Sequence, residues 1–300
     1  MKPVVIFILL IFSFFLSCKN NPTDRNETNK IQSTTDSISF KTGYSDVNGI
    51  KMYYEVYGHG EPLVLLHGGG STIQTTFGRV IPQLSRYHRV IAVELQNHGR
   101  SGFRNIPQTF EQDADDVATL MKNLGINQGD FFGFSNGGET CIEIYLRHPE
   151  IVKKLILASS PYKRSGFMRG FFEGMQKAKL EDMPSQLREA FLKVNSDSSK
   201  LQMLFHHDIE RMLAFKGWTD EQLKSIKAPT LIVSGDADVL TLESAVEMRH
   251  LIPHSELAIL PGGHGKYIGE ITTLNHDRSD SVFIIPMIEE FLNKPIKETN

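Results

Sequence analysis

The sequence predicts an α/β protein built on a mainly parallel sheet, and two features carry that prediction. Short runs of consecutive apolar residues recur along the chain, and amphipathic helical segments stand between them. A strand with two apolar faces has to be buried on both, which happens when helices cover a parallel sheet from either side. Ile50 to Tyr57 opens the pattern, strand-like after the Asn48-Gly49 hairpin signal, and the wholly apolar Leu63-Val64-Leu65-Leu66 follows. Arg89 to Val93, Asp130 to Phe134, Lys154 to Ala158, Thr230 to Ser234 and Glu256 to Leu260 repeat it. Between strands, Phe110 to Leu124 has helical spacing at Val117, Leu120, Met121 and Leu124, and a second helical segment contains Glu139 to Leu146. In such sheets the reacting groups gather on loops beyond the carboxyl ends of the strands.

Composition narrows the function. The 300 residues are 40% hydrophobic and 22% charged with a formal charge of −3, so there is neither a disordered composition nor the basic excess that nucleic acid would attract. Two cysteines, Cys18 and Cys141, cannot build a disulfide scaffold, an all-cysteine zinc site or an iron–sulfur site. No His-Glu-x-x-His or Cys-His grouping suggests a metal. His206 and His207 are adjacent and cannot share one helix face as ligands would.

The amino terminus has its own chemistry. Lys2 precedes an apolar run from Val4 to Leu16 broken only by Ser13. As a helix this run reaches about 20 Å, short of a bilayer core of about 30 Å, and it reads as the apolar region of an export signal over residues 1–17. Its end, Phe15-Leu16-Ser17-Cys18, resembles the lipobox of bacterial lipoproteins, which implies lipidation at Cys18, while an ordinary cleaved signal or an uncleaved anchor is the alternative. All three readings export the chain. Lys19, by resemblance to the lipoprotein sorting rule, favours the outer membrane. Residues 18–38 then read as a flexible tether, too polar to bury a core, with the globular part beginning near Ser39.

Three loops carry chemistry. Gly133-Phe134-Ser135-Asn136-Gly137-Gly138 is a Gly-x-Ser-x-Gly between a strand and a helix, a turn so tight that the central serine is strained and exposed. The helix start behind it favours developing negative charge. Gly235-Asp236-Ala237-Asp238 follows one strand and offers two carboxylates, and Pro261-Gly262-Gly263-His264-Gly265 follows the next. Of the other histidines, His276 is the competing base, while His67 and His98 read as structural groups bonded to backbone. Leu66-His67-Gly68-Gly69-Gly70 carries no Gly-Lys-Ser/Thr and so is no phosphate-binding P-loop.

These motifs together resemble the α/β-hydrolase fold family, over about Gly43 to Leu292. Leu66 to Gly70 is similar to its oxyanion loop after the third strand. Glu94-Leu95-Gln96-Asn97-His98-Gly99-Arg100-Ser101 is similar to its Asp-x-x-Gly-His-Gly-x-Ser loop, with Glu94 and Asn97 in place of the usual Asp and Gly. The resemblance implies Ser135 as nucleophile, His264 as base and, by the family's Gly-x-x-Asp spacing, Asp238 over Asp236 as the acid. It implies backbone donors at Gly69 and Asn136 for an oxyanion. It also implies a core of residues 39–160 and 228–300, with a helical cap at 161–227 inserted after the sixth strand. Five of the ten methionines and six of the nineteen phenylalanines fall in that span, either as an adaptable apolar wall or as the core of the lid itself. Lys163, Arg164 and Arg169 at its start could meet an anionic substrate or simply be solvated. The expectation is a serine esterase, without cofactor, acting on a small apolar acyl substrate. Lactone, amide and carbon–carbon bond cleavage, perhydrolysis and ligand binding without turnover stay open. Aspartate-dependent epoxide and haloalkane chemistry does not fit a serine at 135.

Overall fold

The computed structural model describes residues 39–274 and 282–296; Cys18 and His276 lie outside them. β1 (Phe40–Val47) and β2 (Ile50–Tyr57) form an antiparallel hairpin, turned by Asn48 and Gly49 at φ 40° and 92°. Two left-handed residues are what a two-residue hairpin requires. β3 (Pro62–Leu66), α1 (Ile73–Phe77), α2 (Ile81–Leu84), β4 (Arg89–Val93), α3 (Phe110–Asn123), β5 (Gly129–Phe134), α4 (Asn136–Arg147) and β6 (Val152–Ala158) then alternate. After a helical insertion come β7 (Thr230–Gly235), α9 (Leu242–Leu251), β8 (Ser255–Leu260) and α10 (Ile285–Asn293). The insertion itself holds α5 (Phe171–Lys177), α6 (Ser185–Val194), α7 (Ser198–Ala214) and α8 (Asp220–Lys224).

The eight strands lie in the order β1-β2-β4-β3-β5-β6-β7-β8, and every pairing is parallel except the two made by β2. The mainly parallel α/β sheet read from the apolar runs is therefore present. β1 was missing from that reading because most of its residues are exposed and carry no apolar alternation. In the inner strands each face is apolar for a separate reason. Val64 and Leu66 pack with α3 and α4 on one side, whereas Leu63 and Leu65 pack with α1, α2 and α10 on the other. All four are fully buried, each contributing about 1.5–3 kcal/mol.

The strand order places the site. The chain leaves β3 toward β4 on one side and leaves β5 toward β6 on the other, so the loops after β3 and β5 diverge and open a crevice. Leu66 pairs with Gly133, which sets the two loop starts side by side. The insertion has a small core of Met183, Leu187, Phe191, Leu201, Leu204 and Phe205, and a second cluster ties Phe167, Met212 and Phe215 to Phe110 of α3. Among the described residues no helix is long and apolar enough to cross a membrane.

Candidate active site

Ser135 lies between β5 and α4 with φ 52° and ψ −126°, a conformation that side-chain-bearing residues rarely adopt. Such a backbone costs about 1–3 kcal/mol and persists only where its surroundings fix it. Here the Ser135 N–H donates to the Ala158 carbonyl (2.8 Å), and the Ser135 carbonyl accepts from Gly138 N (2.7 Å). A Cβ on Gly133 would stand 2.1 Å from the Gly137 carbonyl oxygen, and one on Gly137 would stand 2.0 Å from that of Leu66. The motif glycines are thus demanded by backbone packed against backbone, not by flexibility.

Of the two aspartates after β7, Asp238 meets His264: Nδ1 and Oδ1 are 2.6 Å apart. Asp236 instead accepts from Gly262 N (2.7 Å) and ties the two loops together. Asp238 also accepts from Gly235 N (3.1 Å), Val239 N (2.7 Å) and the Ser159 hydroxyl. Burial opposes its ionisation, but the His264 and Ser159 contacts outweigh this and hold the carboxyl below the usual carboxylate range. Its side chain is 0% exposed while that of His264 is 30% exposed, so the acid is sealed behind an accessible imidazole. Ser159 passes the chain of contacts on to the buried Tyr267 hydroxyl (2.6 Å). Neither residue was picked out from sequence. Ser159 directly follows β6, at a carboxyl strand end, and that position was the available signal.

The loop after β3 brings Gly69 against the start of α4. A Cβ at Gly69 would lie 2.6 Å from the Asn136 side-chain amide and 3.2 Å from Asp208 Oδ2, so any larger residue would displace the Asn136 side chain. Among the described residues, neither Gly69 N nor Asn136 N donates a hydrogen bond, and both border the cavity that contains Ser135. His67 is held through Nδ1 to the Gly68 carbonyl (2.8 Å) and accepts from Leu95 N at Nε2 (3.1 Å). Burial, helped by the neighbouring His98, depresses it to about 3, leaving it neutral. His98 Nδ1 meets the Gln96 carbonyl (2.8 Å), so both histidines bond backbone as expected. Asn97, in the usual glycine position, has φ 62°, which asparagine tolerates.

A buried polar cluster behind this loop was not foreseen. On α7, Arg211 Nη2 donates to Asp208 Oδ1 (2.7 Å) and Nη1 to Asp113 Oδ2 (2.7 Å). With its amide oriented to satisfy both neighbours, Asn136 accepts from Arg211 Nη2 (2.6 Å) and donates to Glu139 Oε2 (3.0 Å). Burial pushes the Glu139 carboxyl up to about 8 against the opposing pull of Arg211. At neutral pH the folded chain therefore keeps a proton that the unfolded chain, ionising near 4.5, releases. Stability falls as pH rises through that window. Glu139→Gln, which cannot ionise, is expected to gain on the order of 2 kcal/mol over wild type by pH 8 and little at pH 4. Thermal melts across that range check it, and a gain largest in acid would contradict it.

The cavity over Ser135 holds about 300 Å³. Phe167, Phe171, Met175, Met183, Phe205 and Met212 of the insertion wall it, beside Ser135, Ser159 and His264. Phe191 and Phe215 do not border it: Phe191 packs in the insertion's core and against Phe103, and Phe215 packs against Phe110 and Trp218, so the aromatic and thioether side chains divide between both roles. Its ionisable carboxyl neighbours are Glu139, held protonated at neutral pH, Asp182 and Asp208, with no described lysine or arginine facing it. Lys163 pairs with Glu247 (2.5 Å), Arg164 donates to the carbonyls of Leu213 and Phe215, and Arg169 is exposed. Cys141 is buried in α4, and burial pushes its thiol well above its ordinary range. Among the described residues no group of three His, Cys, Asp or Glu side chains could hold a metal.

A family model for the alpha/beta hydrolase fold matches residues 61–208. A Synechocystis sp. protein assigned as a non-heme chloroperoxidase is 30% identical over 243 residues, 71% of this chain and 88% of the relative. The chain belongs to the α/β-hydrolase fold family. This α/β hydrolase is also 23% identical to the 2-hydroxy-6-oxo-6-(2'-aminophenyl)hexa-2,4-dienoic acid hydrolase of Metapseudomonas resinovorans, over 79% of this chain and 88% of the relative. Among solved structures, the meta-cleavage product hydrolase of Pseudomonas fluorescens IP01 superposes with a TM-score of 0.68 at 22% identity, covering 85% of this chain and 98% of that one. Names so diverse on one architecture leave the reaction to be argued from the site.

Proposed function

We propose that this α/β hydrolase cleaves a small, uncharged carboxylic ester or related acyl bond through an acyl-enzyme on Ser135. The observation that carries the reading is the 2.6 Å contact between His264 Nδ1 and Asp238, made by an imidazole that borders the same cavity as the strained Ser135. Asp238 accepting at Nδ1 fixes the tautomer that leaves Nε2 free to take a proton. Ser135 Oγ attacks the carbonyl carbon as its proton passes to His264. The bond to the leaving group then breaks as His264 returns that proton to it. A water deprotonated by His264 releases the acid and restores the serine. The N–H groups of Gly69 and Asn136, which border the cavity and donate to no other described group, are the donors for the oxygen that gains charge.

Substrate charge follows from the lining. Relatives named for dienoic acids act on carboxylates, whereas a carboxylate in this cavity would lose its water and gain no described lysine or arginine partner. A neutral p-nitrophenyl butyrate and the corresponding ester bearing a terminal carboxylate are therefore expected to differ in kcat/KM by roughly 100-fold or more, in favour of the neutral ester. Labelling by a fluorophosphonate at Ser135 tests the acyl-transfer reading itself, and a protein that resists it while folded defeats that reading. We also propose, from residues 1–38, that the enzyme is exported and held at a membrane through Cys18.

A further inference from the structure

The far end of the oxyanion loop, Gly69 and Gly70, has little of its own to hold it. Gly68, Gly69 and Gly70 have no side chains, and Gly70 sits at φ 67°. The loop's internal ties are the His67 Nδ1 contact with the Gly68 carbonyl (2.8 Å) and two long ones, Ser71 N to the Gly68 carbonyl (3.3 Å) and the Ser71 hydroxyl to the Gly69 carbonyl (3.4 Å), and none of them engages the Gly70 N–H. The Gly70 N–H is held from outside the loop: it donates to Asp208 Oδ2 at 2.6 Å, with His98 Nε2 a longer second acceptor at 3.2 Å. Asp208 belongs to α7, in the insertion, far along the chain from the loop it holds.

Asp208 is itself fixed by groups from several elements. His98 Nε2 approaches Oδ2 (3.1 Å) from the loop after β4, and Arg211 Nη2 donates to Oδ1 (2.7 Å) from the next turn of α7. Arg211 is anchored to Asp113 of α3 and to the Asn136 side chain, next to the second candidate oxyanion donor. A carboxylate this near an oxyanion site would oppose the transition state if unpaired. Arg211 supplies the compensating donor, which accounts for a buried arginine on a helix whose outer residues are solvated.

We propose that Asp208 is a positioning residue that pins the Gly69–Gly70 peptide and, through it, the preceding Gly68–Gly69 peptide whose N–H is the oxyanion donor, so that the oxyanion hole is complete only while α7 lies against the loop. The inference rests on the acyl-transfer reading and adds that the insertion does more than wall the cavity: its seating and the readiness of the hole are one event. Holding the peptide in advance is what makes backbone donors effective, because no reorganisation remains to be done as charge develops.

The test compares wild type, Asp208→Ala and Asp208→Asn on a neutral p-nitrophenyl ester and with a matching trifluoromethyl ketone, which forms an oxyanion-bearing adduct on a reactive serine. Asp208→Ala is expected to lower kcat roughly 100-fold with KM within about 3-fold, and to weaken the ketone in parallel with kcat/KM. Asp208→Asn keeps an acceptor for Gly70 N when its NH₂ turns toward Arg211 Nη2, so it is expected to melt below wild type yet to retain kcat to within about 10-fold. An alanine variant with unchanged kcat and raised KM, or an asparagine variant as damaged as the alanine one, overturns the proposal. Amide exchange at Gly70 in the wild-type protein decides the matter even if the variants do not fold: protection of about 100-fold or more is expected, and exchange at the free-chain rate overturns it. Failure of the acyl-transfer reading has a different signature, a wild-type enzyme that forms no ketone adduct whatever Gly70 does.

Discussion

Ser135→Ala is expected to lower kcat by about 10⁴- to 10⁶-fold while melting within about 2 °C of wild type. The two halves of this expectation have separate causes. Alanine removes the only atom that attacks but keeps the Cβ, so the backbone at φ 52° is as strained as before. Ser135→Gly removes the strain as well. It should abolish turnover to the same extent and raise stability by about 1 kcal/mol, since glycine adopts such angles freely. The pair of variants, assayed with a p-nitrophenyl ester and by thermal melting, separates the chemistry of the serine from the cost of displaying it. An alanine variant that keeps a tenth of wild-type activity would place the nucleophile elsewhere. A glycine variant no more stable than the alanine one would show that the turn is relaxed in solution.

The parts of this fold that were legible in the sequence are those where one local rule has no competitor. Leu63 to Leu66 reads as a strand because each face meets its own helices, and Gly133 and Gly137 read as an elbow because any Cβ there would strike a carbonyl. β1 was illegible for the complementary reason: an exposed edge strand need not be apolar. Asp208 and Arg211 were hidden more thoroughly. Two charged residues at i and i+3 on a helix look like a solvated surface pair. Only the long-range contacts with Gly70, Asp113 and Asn136 reveal a buried one. Glu139 shows the same blindness, since its acidity is set by burial that no local pattern encodes.

Asp238→Asn is expected to lower kcat by about 10⁴-fold, and Asp236→Asn by no more than about 5-fold. Asp236 gives its neighbour one acceptor, to Gly262 N, and the asparagine carbonyl can provide the same. Asp238 is different because donors converge on both of its oxygens. Oδ1 takes Val239 N and faces His264, and Oδ2 takes Gly235 N and the Ser159 hydroxyl. An asparagine there must aim its NH₂ at one of these donor sets. Turned toward His264, it forces Nδ1 to accept, the proton moves to Nε2, and the base can no longer receive one from Ser135. Turned the other way, it leaves Gly235 N and Ser159 facing a donor, which destabilises the loop by about 1–3 kcal/mol. A second signature follows from charge. The native carboxyl of Asp238 lies below its usual range, so its ionisation favours the fold above the unfolded-state value and that contribution disappears as pH falls toward the native one. The stability deficit of Asp238→Asn should therefore be present at neutral pH and shrink in acid. If Asp236→Asn is the more damaging variant, or if the Asp238 deficit grows in acid, the assignment of the acid is wrong.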